Sequence, residues 1–154
     1  MKKMEVKEHK KLVLKNILRR EVRGITSDDF NRELLMFHKF IERERVQTFG
    51  PLVIVTLGTQ VLGDAITQDF DLIIQAHNYK KYSLQAQISE RFECSNCIYI
   101  KFEGHPKDLH YAYSKLDLFL YENELESDGK TYSIVLEETG NYTTIDIFLP
   151  VKST

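Results

Sequence analysis

The sequence predicts an α+β fold: two β-α-β-β units forming one antiparallel sheet, with two helices on one face and a ligand groove on the other. Three observations point there. Residues 30–58, "FNRELLMFHKFIERERVQTFGPLVIVTLG", match residues 109–137, "LHYAYSKLDLFLYENELESDGKTYSIVLE", in pattern at a constant offset of 79. Phe30, Leu34, Phe37 and Ile41 recur as Leu109, Tyr113, Leu116 and Leu120, the stripe of an amphipathic helix. One strand-like run precedes each stripe and two follow it. At 154 residues the chain suits a single domain, 1–154, with repeats at about 11–77 and 90–151.

The elements follow in order. "KLVLKNILRREVRG" is the first strand, and "CIYIKFEG" is its counterpart before the second helix. Asp29, three residues after Thr26, gives an acidic variant of the capping box, and Pro106 suits the first turn of the second helix. Gly50 and Gly129 end the helix-to-strand connections. Next come the apolar runs "PLVIVTLG" and "TYSIVLEE", and then the closing strands "DFDLIIQAH" and "YTTIDIFLPV". Residues 58–68 and 139–141 are read as the hairpin loops, the first much the longer.

Asp146 stands inside a β-branched and aromatic strand, where aspartate is disfavoured and a desolvated carboxylate is costly. Alternation puts Thr143, Ile145, Ile147 and Leu149 toward the helices, and Tyr142, Thr144, Asp146 and Phe148 on the other face. In the first half Phe70, Leu72, Ile74 and Ala76 face the helices. Asp69, Asp71, Ile73, Gln75 and His77 face away, making Asp71 the repeat mate of Asp146. The same open face is expected to continue through Leu52, Ile54 and Thr56, through Thr131, Ser133 and Val135, and through Tyr99. A mixed aromatic and aliphatic surface with a few placed polar groups is how small-molecule sites are lined. An aspartate pointing into water is the plain alternative.

Other chemistry is thinly represented. The histidines, His9, His38, His77, His105 and His110, have no metal-ligand spacing, and no phosphate loop, dinucleotide glycine pattern or G-x-S-x-G occurs. No metal or cofactor is expected. Cys94 and Cys97 form a single C-x-x-C; three positions apart on an extended strand they should face opposite sides, as ordinary thiols. "NYT" at Asn141 is read as a turn. Residues 1–24 carry nine Lys/Arg against three Asp/Glu, and the other 130 carry 12 against 20, so a basic arm precedes an acidic body. The N-terminus lacks an apolar leader and no run is long enough to span a bilayer, so a cytoplasmic protein without membrane association is expected.

The second half resembles the GyrI-like small-molecule-binding domain, which also serves as the effector-binding domain of MerR-type and AraC-type multidrug regulators. The likeness rests on the strand ending in Gly104, the helix with "AYSKL", Gly129 before a strand, and a closing strand with an acidic residue four positions before Pro150. The first half looks like the family's weaker first repeat. The resemblance implies a pseudo-symmetric fold whose groove takes hydrophobic, cationic or aromatic molecules, with Asp146 where the family usually has a glutamate counter-charge. It implies a counter-charge at Asp146 with aromatic contacts at Tyr99, Tyr142 and Phe148, and alternation adds Asp71 and Ile54 to the expected ligand contacts. No segment before residue 26 has room for a helix-turn-helix, so direct nucleic-acid binding is not expected. Two further readings stand beside a binding module, with a protein partner left open. One is a small hydrolase of electrophilic compounds, using Asp146 or Glu137 to activate water and Tyr99 or Tyr142 to orient it. The other is a gyrase-inhibitor-like protein-binding module.

Overall fold

A computed structural model describes residues 4–152; the first three residues of the basic arm, Met1 to Lys3, lie outside the described residues. The chain is mostly antiparallel strand with two α-helices. It runs β1 (Lys7–Ile25), α1 (Ser27–Arg43), β2 (Thr48–Leu62), β3 (Ala65–Ala76), β4 (Gln87–Gly104), α2 (Leu109–Glu122), β5 (Thr131–Glu138) and β6 (Thr143–Pro150), with 3-10 turns at Tyr79–Tyr82 and Pro106–Asp108. No described helix is long and apolar enough to cross a membrane. Two compact units divide it: Leu14–Phe92, and the described parts of Met1–Val13 with Glu93–Thr154.

In the Leu14–Phe92 unit β3 is central, pairing antiparallel with β1 on one side and β2 on the other. Alternation along β3 sorts its side chains. Phe70, Leu72, Ile74 and Ala76 pack with Phe37 and Phe40 of α1 and with Leu18 and Val22 of β1. Phe30 and Leu34 extend that contact, the Phe30 ring tilted by 41° against Phe70 with centroids 4.6 Å apart. Tyr79 and Tyr82 close the end of the cluster, the Tyr82 hydroxyl donating to the Glu44 carbonyl oxygen at 2.6 Å. The helix start differs in detail from a capping box: the Thr26 hydroxyl donates to the Asp29 carboxylate at 3.2 Å, and the Asp29 N–H reaches the Thr26 carbonyl.

In the other unit β6 is central, between β4 and β5. Ile145, Ile147 and Leu149 of β6 join Ile98, Ile100 and Phe102 of β4 against Ala112 and Leu116 of α2. His105 caps the turn at Pro106, its Nδ1 accepting the Lys107 N–H at 3.1 Å. Gly129 adopts φ +82° just before β5.

Three expectations need correction here. Residues 58–68 are not a long loop: Gly58 through Leu62 pair with Ala65 through Asp69, so β2 and β3 continue into a hairpin arm turning at Gly63, φ +62°. Gly50, φ +73°, lies inside β2 at a register shift, where a Cβ would come within 2.9 Å of the Gln75 amide nitrogen. That shift also fixes the phase of β2. Ile54 stands opposite Leu72 and, with Leu52, packs on the helix side, while Val53 and Val55 share the face of Ile73 and Asp71. β5 repeats the phase: Ser133 and Val135 stand opposite Ile147 and Ile145, and Ser133 meets the Tyr113 hydroxyl of α2 at 2.9 Å. Ile54 is therefore part of the helix-side core and not of a ligand face.

Candidate functional site

The face of β4, β6 and β5 turned away from α2 is built by alternation. It carries Tyr99, Lys101 and Glu103 of β4, Thr144, Asp146 and Phe148 of β6, and Tyr132 and Ile134 of β5. Tyr99 lies opposite Phe148 and Lys101 opposite Asp146, so Tyr99 is the diagonal neighbour of the aspartate. Its hydroxyl donates to Asp146 Oδ1 at 2.6 Å, a length typical of a bond from a hydroxyl to a carboxylate. The Tyr99 and Phe148 rings stand with centroids 4.9 Å apart, tilted by 46°.

Burial raises the Tyr99 phenol well above its usual pKa, and the Asp146 hydrogen bond and charge, then the Glu103 charge, push it the same way. Tyr99 thus stays a proton donor to Asp146 at neutral pH. Asp146 is half-buried and makes no ion pair among the described residues. Lys101, its register partner, is exposed and makes none with it.

Tyr99, Asp146 and Phe148 are therefore brought together. Tyr142 is not in that contact: 37% exposed just before β6, it donates to Glu103 Oε2 at 3.1 Å. Glu137 stands opposite Thr144, exposed, beyond a second register shift. Glu103 was missed by sequence reasoning although alternation from Tyr99 points to it.

Asp71 is a different case. It is 2% exposed and held by two arginines: Arg19 Nη1 donates to Oδ2 at 2.8 Å, and Arg23 Nη1 to Oδ1 at 2.9 Å. Arg23 also donates to the Phe70 carbonyl at 2.7 Å, and the Arg19 guanidinium lies 5.4 Å from the Phe92 ring centroid. A shift of register between Val22 and Ile25, with Gly24 at φ +64°, accompanies this reach, and Asp69 Oδ1 accepts the Gly24 N–H at 2.8 Å. Ile17, Val53, Val55 and Ile73 on the same face are buried as well. An open face on this unit is thus overturned, and Asp71 has its charge already answered from within. The arginine run of β1 was the available signal, but sequence gives no register for it.

Among the described residues no cluster of three or more His, Cys, Asp or Glu side chains is placed to hold a metal.

No protein-family model matches the chain, and no curated protein matches it. Solved structures do. The chain is similar to the EcmrR C-terminal domain, with 10% identity and a TM-score of 0.68 over 99% of this chain and 98% of that one. It is similar to a hydrolase from Listeria innocua, with 15% identity and a TM-score of 0.58 over 97% and 92%. It is also similar to SAV2435 bound to tetraphenylphosphonium, with 8% identity and a TM-score of 0.52 over 99% and 95%. At such identities the likeness establishes a shared fold.

Proposed function

We propose that the chain is a small-molecule-binding module of the GyrI-like kind, a duplicated β-α-β-β domain that takes a hydrophobic cation against Asp146, Tyr99 and Phe148. One observation carries this reading: Asp146 is a half-buried carboxylate beside aromatic rings, with a tyrosine hydroxyl as partner and no ion pair among the described residues. A carboxylate partly removed from water gains from a charge brought to it, and each ring offered to a cation adds about 0.5–2 kcal/mol. The tetraphenylphosphonium bound to SAV2435 is a ligand of this chemistry on the same fold.

Calorimetric titration with tetraphenylphosphonium and with neutral triphenylphosphine oxide tests it. Asp146→Asn preserves shape and removes charge, so the cation should weaken by about 30-fold or more while the neutral ligand changes little. Equal affinities of wild type and variant for the cation would overturn the reading.

A second reading, hydrolysis of an electrophilic compound, is favoured by the Tyr99–Asp146 hydrogen bond, which pairs a proton acceptor with a protonated phenol. Turnover of a nitrophenyl-substituted epoxide that vanishes in Asp146→Asn would favour it over binding alone.

A further inference from the structure

The C-x-x-C at residues 94–97 is not used by the proposed site. The β4–β6 register begins at Cys97, opposite Pro150, and just before it the Asn96 carbonyl accepts the Val151 N–H at 3.0 Å. Upstream of that point β4 leaves its ladder with β6. The Cys97 sulfur comes 3.9 Å from the Cys94 carbonyl oxygen, so the buried thiol turns back toward Cys94. As a core thiol and a partly exposed one they match the sequence reading, but they are also close neighbours in the chain's fold.

The two sulfurs are unlike. Cys94 is half-exposed and Cys97 is fully buried. Cys94 receives hydrogen bonds from the Cys97 thiol and the Tyr132 hydroxyl, with the Lys130 charge nearby. Those contacts outweigh burial and the Asp128 charge, and lower Cys94 to about 7. Cys97 is pushed strongly upward by its bond to Cys94, by burial and by the Cys94 charge. One sulfur is thus an accessible thiolate and the other a protonated thiol behind it.

We propose that Cys94 and Cys97 form a reactive dithiol that low-molecular-weight disulfides oxidise to an intramolecular disulfide, Cys94 acting as nucleophile and Cys97 as resolving thiol. The Cys94 thiolate attacks one sulfur of R–S–S–R; that S–S bond breaks, and RS⁻ leaves and takes a proton from water. The protein now carries Cys94–S–S–R. Cys97 gives up its proton to water and attacks Cys94 Sγ, which expels the second RS⁻. Two protein thiols are oxidised by two electrons and one small disulfide is reduced to two thiols. With the Cys97 sulfur already 3.9 Å from the Cys94 carbonyl, reaching the bonded separation of about 2.05 Å is a rearrangement within four residues of β4.

The test uses the reduced full-length protein with oxidised glutathione at neutral pH, quenched by acid and read by intact mass and peptide mapping. Wild type should lose two hydrogen masses and retain no glutathione. Cys97→Ser should trap one glutathione on Cys94, and Cys94→Ser should react at least about tenfold more slowly than either. Native iodoacetamide labelling of wild type supplies a readout independent of whether the variants fold. Cys94 should be labelled at least about tenfold faster than Cys97, with a pH inflection about 7. Equal labelling of the two cysteines, or wild type that accumulates a stable glutathione adduct, would overturn the proposal.

Discussion

Asp71 and Asp146 occupy the same place in their respective units, each on the central one of three strands. Val55 faces the first across the ladder, and Ile134, 79 residues further on, faces the second. The diagonal neighbour that hydrogen-bonds each aspartate also comes from a matching place: Arg19 stands opposite Ile73, and Tyr99 opposite Phe148. In one unit that position supplies a positive charge, and Arg23 adds a second. In the other it supplies a neutral hydroxyl. The backbone therefore offers one slot for a carboxylate, and the side chains beside it set whether its charge is neutralised from inside or left for a partner from outside. Burial follows: Asp71 is sealed and Asp146 is half open.

The largest expected effect separates the two aspartates by stability. Asp71→Asn leaves two arginines facing a neutral amide and should cost about 3–5 kcal/mol. The lower end is expected, because the Arg23 side chain is 42% exposed and also lies 3.4 Å from Glu21. Asp146→Asn should cost less than about 1 kcal/mol. Urea denaturation measures both, and comparable losses would break the comparison.

Next come the opposite faces of the same strands, which should behave alike. Leu72→Ala and Ile147→Ala both remove fully buried side chains from helix-side clusters and should each cost about 2–5 kcal/mol, while the half-buried Thr144→Ala costs under about 0.5 kcal/mol. A large difference between Leu72→Ala and Ile147→Ala would mean that the units differ throughout and not only around their aspartates.

A third experiment exchanges the deciding side chain. Tyr99→Arg should convert the Asp146 site to the Asp71 kind and weaken tetraphenylphosphonium by about 30-fold or more, since the carboxylate is then already paired. Unchanged affinity by calorimetry would show that Arg19 is not what closes the equivalent site.

The smallest effect is a slope. A phenol whose folded pKa is raised contributes stability that is complete below the unfolded value, about 10, and is lost as pH rises toward the folded one. Stability should therefore fall with pH above about 10. Tyr113, raised by burial and only partly offset by its Ser133 hydrogen bond, contributes in the same sense. Tyr99→Phe should flatten the alkaline slope without abolishing it; an unaltered slope would remove Tyr99 as a source.

Much of this was legible in the sequence, for reasons that can be traced to particular residues. In β3 and β6 polar and apolar side chains alternate cleanly enough to set the faces, which places Asp71 and Asp146 away from the helices. In β2 the run "PLVIV" is apolar at every position, so it carries no phase. The shift between Phe49 and Val53 set it instead, and Ile54 went to the core. Thr59, Gln60, Thr67 and Gln68 read as loop residues by type, yet pair with each other across the hairpin arm. The Cys94–Cys97 contact depends on where β4 leaves its ladder, and the Arg19–Asp71 pair joins residues 52 apart. Both are products of register, which composition does not encode.

The central position of β3 and β6 has a consequence for the order of events on the ribosome. In each unit the first strand to be made pairs with the third and not with the second. β1 must therefore wait, unpaired, until a chain segment some fifty residues further on has emerged, while β2 and β3 can zip locally as a hairpin. Non-local closure of this kind is slow, because the loop must be ordered before its contacts repay it. Until then the exposed edge of β1 is guarded chiefly by its own lysines and arginines, a charge pattern that discourages pairing with other chains. Charges that later face Asp71 and solvent would thus first serve to keep an unpaired strand from pairing with other chains.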